Sequence, residues 1–312
     1  MRALRWLTGE ASVLPAIKDA GAINQLVPFL SREREAAAGP EAQLEALHAL
    51  YNICKFNKRV HLEVAATAGI VQHLCRFALE SSPALSQQQQ QQQQQPAVLD
   101  PLTGAAAAEA RRAAVRGFVV PMLIGMASTS SSTRAKLWAC SGLDIFLQLL
   151  GEEDSQMQVG LLRALDTWLL EDHARVEHRL VAPQAVGQLV ELFATACRQR
   201  DMATMPQMLD SLKLMLSRSS KLSVAMATGG LVPPLLEPLA SPPGGGAPIL
   251  RARLLEILRV LYEHHPRPKE FIMKFRIQDV LRRLLESEGR GEDAVKLEAQ
   301  KLLNAFHINV LL

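Results

Sequence analysis

The amino-acid sequence predicts an all-α protein assembled from a helical repeat of about 45 residues. One phrase recurs six times along the chain: a small or turn residue, an apolar residue, a short polar step and then an apolar run. Apolar residues make up 48% and aromatic residues only 4%, so Leu, Ala and Val carry the core, which favours helices over strands. The segments between the phrases place apolar residues at helical spacing.

The period of the phrase identifies the repeat class. The first apolar residues of the six phrases are Ile23, Ile70, Leu143, Val186, Leu231 and Ile277. The steps between them are 47, 73, 43, 45 and 46 residues, and the long step contains a 30-residue insertion, 81–110. A period of about 40–47 residues is that of armadillo and HEAT repeats, whose units bury their apolar faces only by stacking. We therefore predict a right-handed α-solenoid of about six armadillo-like repeats.

The elements follow in the same order in each repeat. In the first complete one, residues 44–54 place apolar side chains on one helical face, and residues 58–69 form a short helix that Gly69 ends by adopting a left-handed backbone. Ile70 then begins the next helix. The short segment recurs at 133–142, 220–230 and 266–276.

Two segments break the pattern and set the predicted organisation. Repeats occupy residues 1–80 and 111–312, and an insertion rich in Gln and Ala occupies 81–110. We expect most of 81–96, with its nine consecutive glutamines, to be disordered because it cannot bury enough apolar surface, whereas 104–116 favours helix. Residues 239–248 form a flexible loop. The last helix covers about 293–306, and the apolar tail 307–312 packs back as part of a cap.

Charge, cysteines and hydropathy exclude several classes of protein. The net charge of +3 comes from scattered residues and is too small to indicate nucleic-acid binding. The four cysteines have no zinc or redox spacing and lie in apolar helical stretches, which predicts buried, reduced thiols. The sequence has no apolar run of 18 residues and no convincing signal peptide at its start, so we expect a cytosolic or nuclear protein without a membrane span.

Motifs that would indicate catalysis are absent from the sequence. There is no phosphate-binding loop and no set of protein-kinase motifs, and Gly244–Gly246 lack the strand–helix context of a phosphate site. The adjacent His264 and His265 point about 100° apart on a helix, so they cannot hold one metal ion from a single face. We therefore predict no catalytic residue, no cofactor and no metal site.

Four blocks carry a more specific resemblance: residues 44–78, 118–150, 262–272 and 302–312. Together they resemble the C-terminal armadillo-repeat region of the plant-type mitogen-activated protein kinase kinase kinase epsilon family, which is similar to fungal septation-initiation kinases. The resemblance is weak in 151–260 and absent in 81–110. It implies a parent Ser/Thr kinase that acts in cell division and cytokinesis. Because the kinase half is not in this sequence, no catalytic residue carries over; the chain is either a fragment of such a kinase or a standalone repeat protein.

The resemblance to armadillo proteins also implies a groove lined by the third helix of each repeat. In the first complete repeat the polar stripe of that helix is His48, Asn52 and Lys55, and the Asn amide can bind any extended peptide backbone. Counting 18 residues back from each aligned apolar position gives the equivalents of Asn52, which are Gly125, Trp168, Lys213 and Arg259.

This set of equivalent residues, which includes Lys213 and Arg259, favours an acidic or phosphorylated protein or peptide as partner, since Lys and Arg bind such groups by charge-assisted hydrogen bonds. The alternatives remain that Lys213 and Arg259 only solvate an exposed face and that Trp168 packs in the core. The predicted function is a non-catalytic scaffold or regulatory region. A transport adaptor that binds basic linear signals, as importins do, is the second hypothesis. The oligomeric state is not predicted.

Overall fold

The computed structural model describes residues 5, 8–10, 12–55, 58–82, 101–151, 155–199, 201–240, 248–286 and 292–311. These residues form helices and turns, and none of them lies in a strand. The chain divides into two compact units, residues 1–152 and 153–312. The prediction of an all-α fold is confirmed.

The first unit contains eight α-helices in its described residues. They are α1 (Leu14–Asp19), α2 (Ala22–Leu26), α3 (Arg32–Lys55), α4 (Lys58–Ala66), α5 (Ile70–Glu80), α6 (Pro101–Ala127), α7 (Ser131–Ala139) and α8 (Gly142–Leu149). A 3-10 turn, Val27–Leu30, follows α2. Helix α3 is broken at Gly39, whose φ of 79° suits glycine, and Pro40 starts its second part.

The second unit contains ten α-helices in its described residues. They are α9 (Ser155–Glu171), α10 (His173–Leu180), α11 (Pro183–Gln199), α12 (Met205–Arg218), α13 (Ser220–Thr228), α14 (Val232–Ala240), α15 (Pro248–His264), α16 (Pro268–Phe275), α17 (Ile277–Glu286) and α18 (Asp293–Leu311).

Each repeat consists of a short helix, a second helix and a long third helix. The long helices pack on one another in succession: α3 on α6 in the first unit, and α9 on α12, α12 on α15 and α15 on α18 in the second. Their inner sides are built from leucines that are fully buried; examples are Leu50, Leu123, Leu165, Leu212 and Leu258. Each such side chain stabilises the folded chain by about 1.5–3 kcal/mol relative to an exposed position.

A residue with a left-handed backbone joins the first and second helices of most repeats. Glycine holds this position at Gly21, Gly69 and Gly230, because a residue without Cβ adopts positive φ at little cost. The predicted role of Gly69 is therefore confirmed, with a φ of 78°. Two residues with side chains, Ser141 and Arg276, occupy the same position with φ of 54° and 50°.

Serine caps define the junction that follows two of the long helices. The Ser130 hydroxyl accepts a hydrogen bond from the Thr133 backbone N–H at 3.2 Å, and Ser219 does the same for Leu222 at 3.0 Å. These bonds satisfy amide groups that have no partner within the helix. The caps fix where α7 and α13 begin and therefore where the preceding long helices end.

Two helices predicted from the sequence lie within observed helices. The helix predicted at 104–116 lies within α6, and the one predicted at 293–306 lies within the longer α18. The predicted inner face of α18 is buried at Val295, Ala299, Leu302 and Phe306, while Leu303 is half-buried. The glutamine run, residues 241–247 and the side chains of the tail 307–312 lie outside the described residues. The boundaries of the insertion stay a prediction.

Candidate functional site

The long helices of each unit leave one stripe of side chains facing outward. We call this stripe the long-helix face. On α9, α12 and α15 it consists of Arg163, Thr167, Leu170, Asp210, Lys213, Leu214, Ser217, Arg253, Glu256, Arg259 and Glu263, which are exposed or partly exposed. They recur at the three- and four-residue spacing of one helical face.

In the first unit the predicted residues His48, Asn52 and Lys55 lie together on one side of α3, are exposed or partly exposed, and belong to the long-helix face of that unit. The His48 ring stacks on Phe118 of α6, with centroids 4.5 Å apart and planes at 12°. Tyr51 tilts against the same ring at 5.5 Å, and the Lys55 ammonium lies 6.0 Å from the Tyr51 centroid. The sequence therefore placed these three residues correctly on one helix, but it missed the aromatic partner on the next long helix.

Two polar contacts hold this part of α3 in place. The Asn52 amide donates to the Thr8 hydroxyl at 3.3 Å, and Arg5 pairs with Glu45 at 2.8 Å. Burial lowers the pKa of His48, the positive charge of Arg5 lowers it further, and Glu45 opposes the shift. The imidazole is consequently neutral at pH 7, as its stacking on Phe118 suggests.

Gly125, the predicted equivalent of Asn52 on α6, contacts a side chain of its own repeat. A Cβ at this position would overlap the His61 ring of α4. His61 is buried, and burial lowers the pKa of its imidazole. Gly125 therefore serves close helix packing, and an adaptable amide cannot occupy this position without displacing the His61 ring.

Trp168 is fully buried in the core of the second unit, so its prediction as a groove residue is wrong. The burial pattern matches Trp168 with Met215 on α12 and Leu261 on α15, both buried. The outward residue beside it is Thr167, which is half-buried. The alternative that Trp168 packs in the core is the correct one.

The error comes from connectors of unequal length. One residue separates the long helix from the next short helix after α9 and after α12, but three residues do so after α15. The connector to the following helix also varies, from one residue after α16 to three after α13. A fixed count of 18 residues therefore reaches a different face of the long helix in different repeats, since one residue turns a helix by about 100°.

Lys213 and Arg259 do lie on the long-helix face, with about a third of each side chain exposed, and both are paired with carboxylates. Lys213 donates to Glu256 of the next long helix at 2.6 Å, and Arg259 pairs with Glu263 of its own helix at 2.9 Å. Arg253 adds an ion pair to Asp210 at 3.0 Å. The face is thus charge-balanced in this region.

The repeat period itself predicts these partners. Glu256 follows Lys213 by 43 residues and Arg253 follows Asp210 by 43, and each pair connects neighbouring long helices. The hydrogen bond from Arg163 to Gln207, 44 residues apart and 2.8 Å long, has the same geometry. A search for complementary residues one period apart would have found all three contacts.

A second ionic cluster fixes the junction between α12 and α13. Glu177 accepts hydrogen bonds from Ser219 at 2.7 Å and from Lys221 at 2.8 Å, and the Lys221 bond chiefly lowers the pKa of its carboxyl. Arg218 binds Asp166 through two nitrogens, at 2.8 and 3.3 Å, but burial raises the pKa of Asp166 more than Arg218 lowers it. These contacts connect α9 and α10 with α12 and α13 and serve the fold.

The cysteine thiols are poor nucleophiles. Cys54, Cys75 and Cys197 are buried, and burial raises the pKa of Cys54 and Cys75 to about 12 and that of Cys197 to about 11. Cys140 is partly exposed, and its pKa is raised mainly by burial. Among the described residues, no group of three or more His, Cys, Asp or Glu side chains could hold a metal ion.

The length and hydropathy of the helices bear on whether any of them could cross a membrane. In the described part of the chain, no individual helix combines the length and apolarity that crossing a membrane requires. Two sharply bent pairs, His173–Leu180 with Pro183–Gln199 and Ser220–Thr228 with Val232–Ala240, reach that length and apolarity only jointly.

Comparison with known proteins supports the predicted resemblance. The chain is 30% identical to MAP3K epsilon protein kinase 1 of Brassica napus over 313 residues, which is 98% of the chain but 21% of that kinase. It is 25% identical over 181 residues, 58% of the chain, to the cytokinesis protein sepH of Aspergillus terreus. No family model matches. The chain thus resembles the MAP3K epsilon kinases over nearly all of its own length and spans about a fifth of theirs.

Solved structures identify the fold. A designed armadillo repeat protein in complex with the peptide (KR)4 matches with a TM-score of 0.56 and 14% identity, covering 90% of this chain and 98% of the designed one. An engineered protein matches with the same TM-score and 17% identity, over 90% of this chain and 97% of that one. The fold is therefore of the armadillo-like, α-solenoid class, as predicted.

Proposed function

We propose that this chain is a non-catalytic protein-binding region that serves as scaffold or regulatory part of a Ser/Thr kinase acting in cell-division signalling. The observation that carries the proposal is the long-helix face of each unit. Its side chains are held by contacts between successive long helices, such as Lys213 with Glu256, yet they keep part of their surface open to a ligand. A preorganised surface of this kind loses little conformational entropy on binding.

The first unit offers groups suited to an extended polypeptide. The Asn52 side chain has a carbonyl oxygen that accepts and an amide group that donates, so it can bond both polar groups of a peptide unit. The adjoining Phe118 and Tyr51 rings are half-buried and provide an apolar contact surface. The exposed Lys55 at the end of α3 supplies a positive charge beside them.

The partner we propose is an acidic or phosphorylated segment. Lys213 and Arg259 keep about a third of their side chains open, and a doubly charged phosphate binds a cation more strongly than a single carboxylate does. Binding would require the phosphate to displace Glu256 or Glu263 from its cation. The affinity should therefore fall when salt is added.

The alternative function is a transport adaptor that binds basic linear signals. The solved complex of a designed armadillo protein with (KR)4 favours it, because that protein binds a basic peptide with the same fold. Glu256 and Glu263 on the long-helix face could receive such a peptide. The two hypotheses therefore predict opposite preferences for the charge of the ligand.

The cellular role and location belong to the same proposal. The names of the relatives, MAP3K epsilon protein kinase and cytokinesis protein sepH, suggest a kinase pathway at division structures. We propose that the chain acts in the cytoplasm, with recruitment to those structures through the partner of the long-helix face.

The testing experiment titrates the purified chain with labelled acidic, phosphorylated and basic peptides of equal length at low and high salt. We expect the acidic and phosphorylated peptides to bind and the variants Asn52→Ala and Lys213→Gln to weaken that binding, while Glu191→Gln on α11 leaves it unchanged. Preference for basic peptides would favour the adaptor. Transfer of phosphate from ATP by the chain alone would contradict a non-catalytic role.

A further inference from the structure

The second unit carries a groove between α16 and α17. One wall is lined by Lys269, Ile272, Met273 and Arg276, which are spaced as one face of α16 and the residue after it. Gln278 and Asp279 of α17 form the other wall. The groove is open and has a volume of about 490 Å³.

The groove presents one exposed apolar side chain, Met273. Met273 leaves 71% of its surface open, the largest exposed fraction among the large apolar side chains of the described residues. Ile272 beside it is buried. Methionine is flexible and polarisable, so it adapts its surface to apolar side chains of different shape.

The rim of the groove is positively charged. Residues 267–283 contain six Lys or Arg and two Asp or Glu. Within the part of the chain that the structure describes, neither Lys269 nor Arg276 has a carboxylate within 4.0 Å, in contrast to the paired Lys213 and Arg259 of the long-helix face. The two cations are thus available to a ligand without displacing an internal partner.

Arg276 holds its place in the rim at a conformational cost. Its φ of 50° and ψ of 38° lie in the left-handed region, where the corresponding residues Gly21, Gly69 and Gly230 have no side chain. Left-handed backbone costs a residue with Cβ about 1–2 kcal/mol. Residues held in such conformations cluster at binding and switch sites, and the position of the Arg276 guanidinium at the groove agrees with that tendency.

We propose that this groove docks an acidic segment of a partner protein, with an apolar side chain of the segment against Met273 and its carboxylates bound by Lys269 and Arg276. Charge complementarity selects the acidic segment, and the concave shape with one carboxylate, Asp279, in its wall favours a peptide over a flat anionic membrane. The proposal does not depend on the long-helix face and adds a second docking surface.

The experiment uses the whole chain and fluorescein-labelled short peptides. The probe has Glu and Asp on both sides of a central Leu; two comparison peptides replace that Leu by Ser or the acidic residues by Lys, and phosphatidylserine vesicles form a separate arm. The variants are Met273→Ser and Arg276→Gly. Leu297→Ser, at a side chain 56% exposed on α18, and Ser141→Gly, at the other strained turn, are the matched controls.

We expect the acidic Leu peptide to bind and Arg276→Gly to weaken this binding about tenfold or more, since a charge-assisted hydrogen bond contributes about 1.5 kcal/mol or more and each 1.4 kcal/mol is tenfold. Met273→Ser should weaken it several-fold through the lost apolar contact. Both control variants should bind as the unaltered chain does, and Arg276→Gly should weaken binding of the peptide to the same extent in an Asn52→Ala background, in which binding at the long-helix face is reduced. Arg276→Gly relieves backbone strain, so loss of binding in a variant that is no less stable cannot be attributed to unfolding.

Three outcomes would overturn the proposal. They are no binding of the acidic Leu peptide by the unaltered chain, equal binding by the groove variants, and preference for the Lys peptide or the vesicles. If Asn52→Ala weakens binding of the acidic Leu peptide and Arg276→Gly does not, the peptide binds at the long-helix face. That result would leave the proposed function intact.

Discussion

Lys213 of α12 donates a hydrogen bond to Glu256 of α15 at 2.6 Å, and Arg253 contacts the same carboxylate at 3.3 Å. One glutamate thus contacts two cations of the long-helix face, and Asp210 supplies a second carboxylate to Arg253. Burial raises the pKa of Glu256, but the hydrogen bond from Lys213, the positive charges of Lys213 and Arg253 and the hydrogen bond from Arg253 together lower it. An acidic ligand at this point must compete with a carboxylate that stays ionised at neutral pH.

The first prediction follows from this pairing. Replacing Glu256 by Gln removes the competing charge, so we expect the chain to bind phosphorylated peptides several-fold more tightly at low salt, by about 1 kcal/mol. Peptide titration by fluorescence anisotropy measures the change. Glu191→Gln removes an exposed, paired glutamate from α11 and should have no effect. Unchanged or weaker binding by Glu256→Gln would show that Lys213 does not contact the ligand.

The second prediction concerns the close approach of α4 and α6. Because a Cβ on Gly125 would overlap the His61 ring, Gly125→Ala should lower the free energy of unfolding by about 1–3 kcal/mol. The same substitution in a His61→Ala background should cost clearly less, since the ring is gone. The unaltered chain, the two single variants and the double variant form a double-mutant cycle. Urea unfolding of these four proteins gives the coupling free energy between Gly125 and His61, and additive effects would contradict the contact.

The third prediction concerns pH. Burial lowers the pKa of His61, so in the folded state the imidazole stays neutral at a pH where the unfolded chain, with a pKa near 6.5, already binds the proton. The unfolded state then binds more protons, and stability falls as pH falls through about 6.5. The drop in unfolding free energy between about pH 8 and 5.5 should be smaller in His61→Gln. Identical pH profiles would contradict burial of a neutral ring.

The fourth prediction concerns a buried ion pair. Arg251 and Glu292 lie 2.6 Å apart with about 5% of each side chain exposed. Replacing Arg251 by Met leaves Glu292 as an unpaired buried charge and should lower the unfolding free energy by about 3–5 kcal/mol, whereas Arg251→Met with Glu292→Leu should recover much of the loss. Thermal or urea unfolding measures both. A double variant as unstable as the single one would show that packing, not charge, dominates there.

The fifth prediction concerns the two strained turns. In the left-handed conformation a residue with Cβ costs about 1–2 kcal/mol, and glycine at Ser141 or Arg276 avoids this cost. The greater freedom of glycine in the unfolded chain lowers the unfolding free energy by about 0.5–1 kcal/mol. Each variant should therefore gain between about 0 and 1.5 kcal/mol in unfolding free energy. A loss of stability in both would mean that side-chain contacts at these turns outweigh the strain.

The repeat period made the fold predictable from the sequence. It predicted an all-α fold with the same order of helices in each repeat, and the glycine at position 69 marked its turn correctly because the backbone there needs positive φ. The apolar spacing of 293–306 likewise predicted the buried side of α18. These features depend on local pattern, which the sequence contains directly.

The details of the candidate site were harder to predict from the sequence than the fold. Trp168 was placed on the surface because a fixed count was carried through connectors whose lengths differ. The pairing of Lys213 with Glu256 depends on the register between two long helices, which no single helix reveals. Arg276 gave no signal of a left-handed turn, because arginine rarely adopts one and only alignment with Gly230 suggests it.

The most direct test of the account is the charge preference of the whole chain for peptides, measured by anisotropy with phosphorylated, acidic and basic peptides of equal length at ionic strengths of about 0.05 and 0.15 M. We predict binding of the phosphorylated and acidic peptides, weaker at the higher salt, and little binding of the basic one. Tight binding of the basic peptide alone, or binding of none of the three, would contradict it.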